Sequence, residues 1–409
     1  MKDSLWGWVF LVVAVFPGGC RPRIVVEPTP QMDIAESFQI RVLLFDKINE
    51  CIVSSPSGFS AQAADVGTDA TFGPASSEVR IEFFDGRIRA GGSVLGRRVE
   101  IRPREPFILQ INGQGYRGNL TVLVSSDGTG LDVINTLPLE PYLAGVIGAE
   151  MPSYWETEAL AAQTIVSRTY SLYIKRRFGS ERAWDVRKTQ ANQMYRGLSA
   201  ETATIWESIR ATQGKVLVVP NSAGGEDLLA AYFSSTCAGH TENSQGVFGD
   251  RSTALEGVAC SYCATVSRRS FLSWPKVSVP VELVTQRLTE RYPSLSELQG
   301  IASIEPIRIS EYDGLQRVTQ VRLIGVNGKT DTLRAEDLRL AIDPSGRKIK
   351  SACFVIRREK NAFVFDQGKG FGHGVGLCQY GAEGMAREGF SCESILQFYF
   401  PGSRLRKLY

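Results

Sequence analysis

The hydrophobic pattern of this chain changes period part-way along, and that change sets its fold class. Between residues 78 and 135 apolar side chains recur at every second position, as in Val79-Ile81-Phe83, Val99-Ile101 and Thr121 to Val124, with glycine-rich turns between them. At Leu137 the spacing becomes helical: Pro141 suits a first turn, and Tyr142, Val146 and Ile147 share one face. Glu150-Met151-Pro152 interrupts that helix, because Pro152 disfavours helical geometry at Met151. A second helix is expected over 156–177, ending in Lys175, Arg176 and Arg177, which suit the negative end of a helix dipole. Helices over 200–212, 281–292 and 382–388 and strands over 215–219 and 318–324 follow. The pattern predicts an α+β fold of mixed helices and antiparallel β: a small β region at 78–135, then a main domain over 136–409 with a subdomain at 281–358.

With 409 residues, 43% hydrophobic and 22% charged, the composition is globular and excludes a disordered chain or a multi-span membrane protein. A net charge of +3 gives no nucleic-acid footprint. The run Leu5 to Phe16 is about half of the ~20 residues that span a bilayer, so it reads as the core of an export signal. Pro17-Gly18-Gly19-Cys20 resembles a bacterial lipoprotein processing site despite Asp3 and Pro17. We therefore expect a leader at 1–20, Cys20 as the lipidated residue, and a membrane-anchored protein at the cell envelope. An ordinary cleaved signal ending near a Cys is the alternative. Residues 21–77, rich in Pro, Ser, Ala and Gly, read as a tether or loosely ordered arm apart from the apolar run Ile40 to Phe45.

Only two histidines are present, so a three-His zinc enzyme is excluded and any histidine chemistry falls to His240 or His373. Glu150 sits at the helix–proline junction between Ala149 and Met151; apolar surroundings would raise its pKa and make it a candidate general acid. Cys237-Ala238-Gly239-His240 followed by Cys260-Ser261-Tyr262-Cys263 has the spacing of a filled, structural zinc site with Cys237, His240, Cys260 and Cys263 as ligands. Disulfides or free thiols are the alternative in an oxidising compartment. Gly113 to Gly118 spells GxGxxG, but strand-like residues follow where a dinucleotide site needs a helix, so it reads as a hairpin. Gly370-Phe371-Gly372-His373-Gly374-Val375-Gly376 lets backbone approach a partner closely around one imidazole. Cys378 follows it without the His and Asn/Asp layout of a thiol protease.

These blocks together resemble the SpoIID/LytB family of bacterial cell-wall proteins. The matching stretches are Leu137 to Pro152, Glu158 to Tyr170, Gln193 to Gly197, Ser235 to Glu242, Gly370 to Ala382 and Tyr399 to Gly402, in the family's order. The resemblance implies a lytic transglycosylase that cleaves peptidoglycan glycan strands, preferably peptide-stripped ones, to 1,6-anhydromuramyl ends. It assigns the catalytic role to Glu150 and places Gln163, Arg168, Tyr195, His373, Gln379 and Tyr380 as cleft residues. It also supports zinc at Cys237 and His240; Cys260 and Cys263 rest on spacing. Cys378 departs from the family's usual serine. The rival expectation is a non-catalytic, LytB-like wall-binding protein that enhances a cell-wall amidase; a structural zinc module in an envelope scaffold is a third.

Overall fold

The computed structural model describes residues 38–63, 69–72 and 78–409, so the expected leader and Cys20 lie outside the described residues. Helices and mainly antiparallel sheets make an α+β fold. Two sheets of seven and six strands form its first layers. In the seven-stranded sheet Leu131–Pro138 pairs on one side with Asn119–Val124 and on the other with Gln39–Ile48.

The run Ile40 to Phe45, set apart from the expected arm, lies in that last strand, and the arm is corrected where two more strands follow it. Strands Gln39–Ile48, Glu50–Ser54 and Phe59–Ala63 belong to the two sheets. In the third of these, Phe59, Ala61 and Ala63 point inward while Ser60 and Gln62 stay exposed. The alternation is complete, but it is written mostly in small residues, whose weak hydrophobic contrast hides a period of two. The GxGxxG run is a hairpin: Ile108–Ile111 turns at Gly113, at φ +78°, into Gln114–Arg117, and the strand Asn119–Val124 follows.

Leu131–Pro138 leads directly into helix α1, Leu139–Glu150, which ends where Met151 turns extended at φ −131° ahead of Pro152. Helix α2, Thr157–Phe178, packs on α1 and is buried along most of its length. The two helices and the sheets share one hydrophobic core. A second core, running from Trp274 to Phe365, is built from the hairpin Ile301–Tyr312/Leu315–Gly325, the helices Val281–Arg291 and Ala335–Ile342, and the strands Cys353–Glu359 and Ala362–Lys369. The chain then returns to the first core through Leu377–Cys378, which pairs in parallel with Phe233–Ser234. This pairing brings the glycine-rich block beside the first cysteine block.

Candidate active site and cysteine centre

The end of α1 opens into a cleft of about 320 Å³ lined by Glu150, Met151, Trp155, Ser235, Phe271, Gln379 and Tyr380, among others. Glu150 is the one carboxyl among the described residues that line it. Its Oε1 accepts a hydrogen bond from the Met194 backbone N–H (2.7 Å), and its Oε2 accepts one from Nε2 of Gln379 (3.3 Å). Residues 229 positions apart thus meet at one carboxyl group.

Burial raises the Glu150 pKa above its ordinary value, and the donors from Met194 and Gln379 and the positive Arg196 only partly offset this. The position at the C-terminal end of α1 acts in the same direction as burial, because the helix dipole is negative there. Much of the remaining lining is aromatic: Tyr380 meets Trp155 edge-on at 4.8 Å between centroids and Phe271 at 5.0 Å. Such faces suit the C–H surfaces of a sugar ring.

Of the six residues expected beside Glu150, the structure brings Gln379 and Tyr380 to the cleft. The other four lie elsewhere. Arg168 is fully buried and forms a two-pronged ion pair with Glu140, at 2.9 and 2.7 Å. Tyr195 is buried under α1 and donates its hydroxyl to Oδ1 of Asn135 at 2.9 Å. Gln163 is buried within α2 and donates to Ser167. The His373 Nδ1 accepts the Val375 N–H, its ring packs edge-on to Phe248, and burial pushes its pKa down to about 4. A neutral imidazole folded onto its own loop holds the loop's shape and offers no proton at neutral pH.

The Arg168 contact carries its own expected result. Arg168→Met leaves the Glu140 carboxylate without its guanidinium, and loss of one partner of a buried pair costs about 3–5 kcal/mol. A denaturant midpoint that falls sharply, with glycan affinity unchanged in the folded fraction, is the expected outcome; an unchanged midpoint would contradict it.

Next to the cleft lies a cysteine centre whose membership differs from the expected set. The sulfurs of Cys237, Cys260, Cys263 and Cys378, all buried, lie within 4.8 Å of one another. The fourth position goes to Cys378, not to His240. Ala238 and Gly239, at φ +65° and +122°, turn the chain after Cys237. His240 then stacks flat on Tyr312 at 3.7 Å, with its Nδ1 against the Thr241 carbonyl. The sequence block identified three of the four sulfurs; the last comes from far downstream.

The spacing of the sulfurs fits a metal. Four thiolates ~2.3 Å from a tetrahedral zinc stand about 3.8 Å apart, and Cys237 Sγ and Cys263 Sγ are separated by 3.8 Å. A disulfide needs about 2.05 Å, and all four cysteines are free. The Cys237 N–H also donates to Cys378 Sγ at 3.3 Å, the type of outer bond that steadies a ligating thiolate.

Comparison with known proteins fits this arrangement. The SpoIID family profile, described as Stage II sporulation protein, matches residues 127–219, the stretch holding α1, α2 and Glu150. Stage II sporulation protein D of Bacillus subtilis is 31% identical over 292 residues, covering 66% of this chain and 75% of that protein. The chain belongs to the SpoIID/LytB family. An uncharacterized protein of Brachyspira hyodysenteriae is 30% identical over 294 residues, covering 71% of this chain and 72% of that one. The family's other side is represented by the Amidase enhancer of Bacillus subtilis, 26% identical over 339 residues, covering 73% of this chain and 45% of that protein.

Proposed function

We propose that this SpoIID/LytB protein is a peptidoglycan lytic transglycosylase with Glu150 as its single acid and base. The observation that carries the reading is one carboxyl, its pKa raised by burial, with no second carboxyl among the described residues that line its aromatic cleft. A hydrolase of the two-carboxylate kind needs a second acid on the other side of the bond. One carboxyl suffices if the nucleophile is internal. Protonated Glu150 gives its proton to the glycosidic oxygen that leaves N-acetylmuramic acid. The C6 hydroxyl of the same sugar then closes on C1, and its proton goes to the Glu150 carboxylate. The bond from C1 to the leaving oxygen breaks, the C1–O6 bond forms, and no water is consumed. Gln379 and the Met194 N–H hold the carboxylate during the interval when it is charged.

Within the same reading, the four cysteines hold one structural zinc, export and a lipid anchor at Cys20 place the protein at the envelope, and glycan strands freed of stem peptides are the substrate. The cluster has four protein ligands, which leaves no open position for substrate, so the chemistry stays with Glu150. Incubation with peptide-stripped glycan tests the reaction. Mass spectrometry should find 1,6-anhydromuramyl ends; reducing ends would instead mean hydrolysis.

The similarity to an amidase enhancer favours one second reading, a wall-binding protein that stimulates an amidase. It predicts no cleavage by the chain alone and a faster amidase in its presence. A further expected result concerns the mouth of the cleft. Tyr154, 81% exposed, lies in the chain between the lining residues Pro152 and Trp155, and its ring is proposed as a stacking face for an incoming sugar. Tyr154→Ala should raise KM for glycan about threefold to tenfold, from a loss of roughly 1 kcal/mol of stacking, with kcat little changed. An unaltered KM would remove Tyr154 from the binding surface.

A further inference from the structure

We infer that Arg317, carried by the second core, is a positioning residue that sets the geometry of the Glu150 cleft. Its strand Leu315–Gly325 lies in the unit built around the second core, yet its side chain is 1% exposed and its guanidinium ends among segments of the first. There Nη2 donates to the Cys237 carbonyl at 3.1 Å and Nη1 to the His373 carbonyl at 3.3 Å. Nε lies 3.5 Å from Oε2 of the equally buried Glu242. One fork thus ties together the first cysteine block, the residue Glu242 and the glycine-rich loop. A planar guanidinium with several fixed donors can do this, whereas a lysine ammonium reaches fewer of them at once.

The loop is shaped to receive it. Gly374 has φ +80°, and a Cβ there would lie 2.6 Å from Cζ of Arg317. The close approach that the glycine-rich run foretells is therefore made by a protein cation. From the two carbonyls the path to the cleft is short. Phe233–Ser234 pairs with Leu377–Cys378, the Tyr380 N–H donates to the Ser235 carbonyl at 3.1 Å, and Gln379 reaches Glu150. Ser235, Gln379 and Tyr380 all line the cleft and sit within two residues of these paired strands, and the carbonyls that Arg317 binds, Cys237 and His373, lie on the same two segments, three and four residues from the strands. Loosening the pin lets Gln379 withdraw from Glu150, so the second unit acts as part of the active site and not as an appendage.

The inference rests on Glu150 being the acid proposed above, but its test does not require turnover. In the full chain with isotope-labelled glutamate carboxyls, NMR titration follows Glu150, whose signal is identified by its loss in Glu150→Gln. Gln379→Leu removes one donor to the carboxylate and should move the midpoint up. Arg317→Lys and Gly374→Ala, which disturb the pin from opposite sides, should move it in the same direction, and Arg317→Lys added to Gln379→Leu should move it no further. In cleavage assays both pin variants should lose about tenfold in kcat with KM within about twofold. Two variants are used because a buried cation is sensitive to replacement; either one that folds decides the matter. A midpoint unmoved in a folded variant, or a shift that adds to that of Gln379→Leu, would overturn the inference. Lack of anhydromuramyl product from the unaltered protein would overturn the proposed reaction alone, with the titration still deciding the role of Arg317.

Discussion

Glu150→Gln is expected to abolish glycan cleavage while leaving the fold and the substrate affinity intact. The amide keeps the size of the carboxyl, and its oxygen can still accept the Met194 N–H that now reaches Oε1 at 2.7 Å. What it loses is the transferable proton. General acid–base catalysis contributes roughly 10²–10⁴ in rate, and here one group serves both as acid and as base. The expected loss is therefore at the upper end, about a thousandfold or more in kcat with KM little changed. Product analysis by mass spectrometry on stripped glycan reads the first quantity, and a pull-down on the same strands reads the second. Retention of anhydromuramyl release by the variant would remove Glu150 from the chemistry.

The pH dependence follows from the same carboxyl. The acid step needs Glu150 protonated, and burial raises its folded pKa above the unfolded value. Cleavage should therefore fall on the alkaline side as pH passes that raised value. The stability term has the same sign: the folded state favours the neutral carboxyl, so this contribution is complete below the unfolded pKa and is lost as pH rises through the folded one. A rate that instead rises steadily through neutrality would point to a different proton donor.

Much of this site is legible in the chain because its signals are local. Glu150 is marked by a helix that must stop at Pro152, and the hairpin reading of Gly113 to Gly118 follows from the strand that succeeds it. Tyr195 and Arg168 show the limit of local reading. Both sit in blocks that match the family, and both serve packing: Arg168 answers a carboxylate 28 positions earlier in the chain, and Tyr195 lies against α1, where a Cβ on Gly145 would strike its ring at 2.4 Å. A family match cannot separate a residue that touches substrate from one that holds the residue that does. Trp155 and Phe271 carry no local signal of the cleft, because an isolated aromatic residue in or near a helix reads equally well as core. Arg317 had no signal at all, since the glycine that admits it lies on the other side of a whole folded unit.

On the proposed zinc reading, Cys378→Ser should abolish metal binding at the cysteine cluster, whereas His240→Ala should leave it in place. The two spacing-defined pairs suggest a site closed by Cys237, His240, Cys260 and Cys263, and only the return of the chain through Leu377–Cys378 shows that a cysteine supplies the fourth sulfur. His240 is engaged with Tyr312 and the Thr241 carbonyl, so its loss removes a half-buried stacking contact. Loss of Cys378 is of another order. Structural zinc contributes apparent free energies of ~10–16 kcal/mol to small domains, and a buried cluster missing one thiolate retains little of it. Elemental analysis of protein prepared without chelator should find about one zinc per chain in the unaltered form and in His240→Ala, and almost none in Cys378→Ser. Because Gln379 follows Cys378 directly and contacts Glu150, zinc loss should also depress cleavage, with a thermal midpoint lower by roughly 10 °C or more. Full zinc content in Cys378→Ser, or its loss in His240→Ala, would return the fourth position to the histidine.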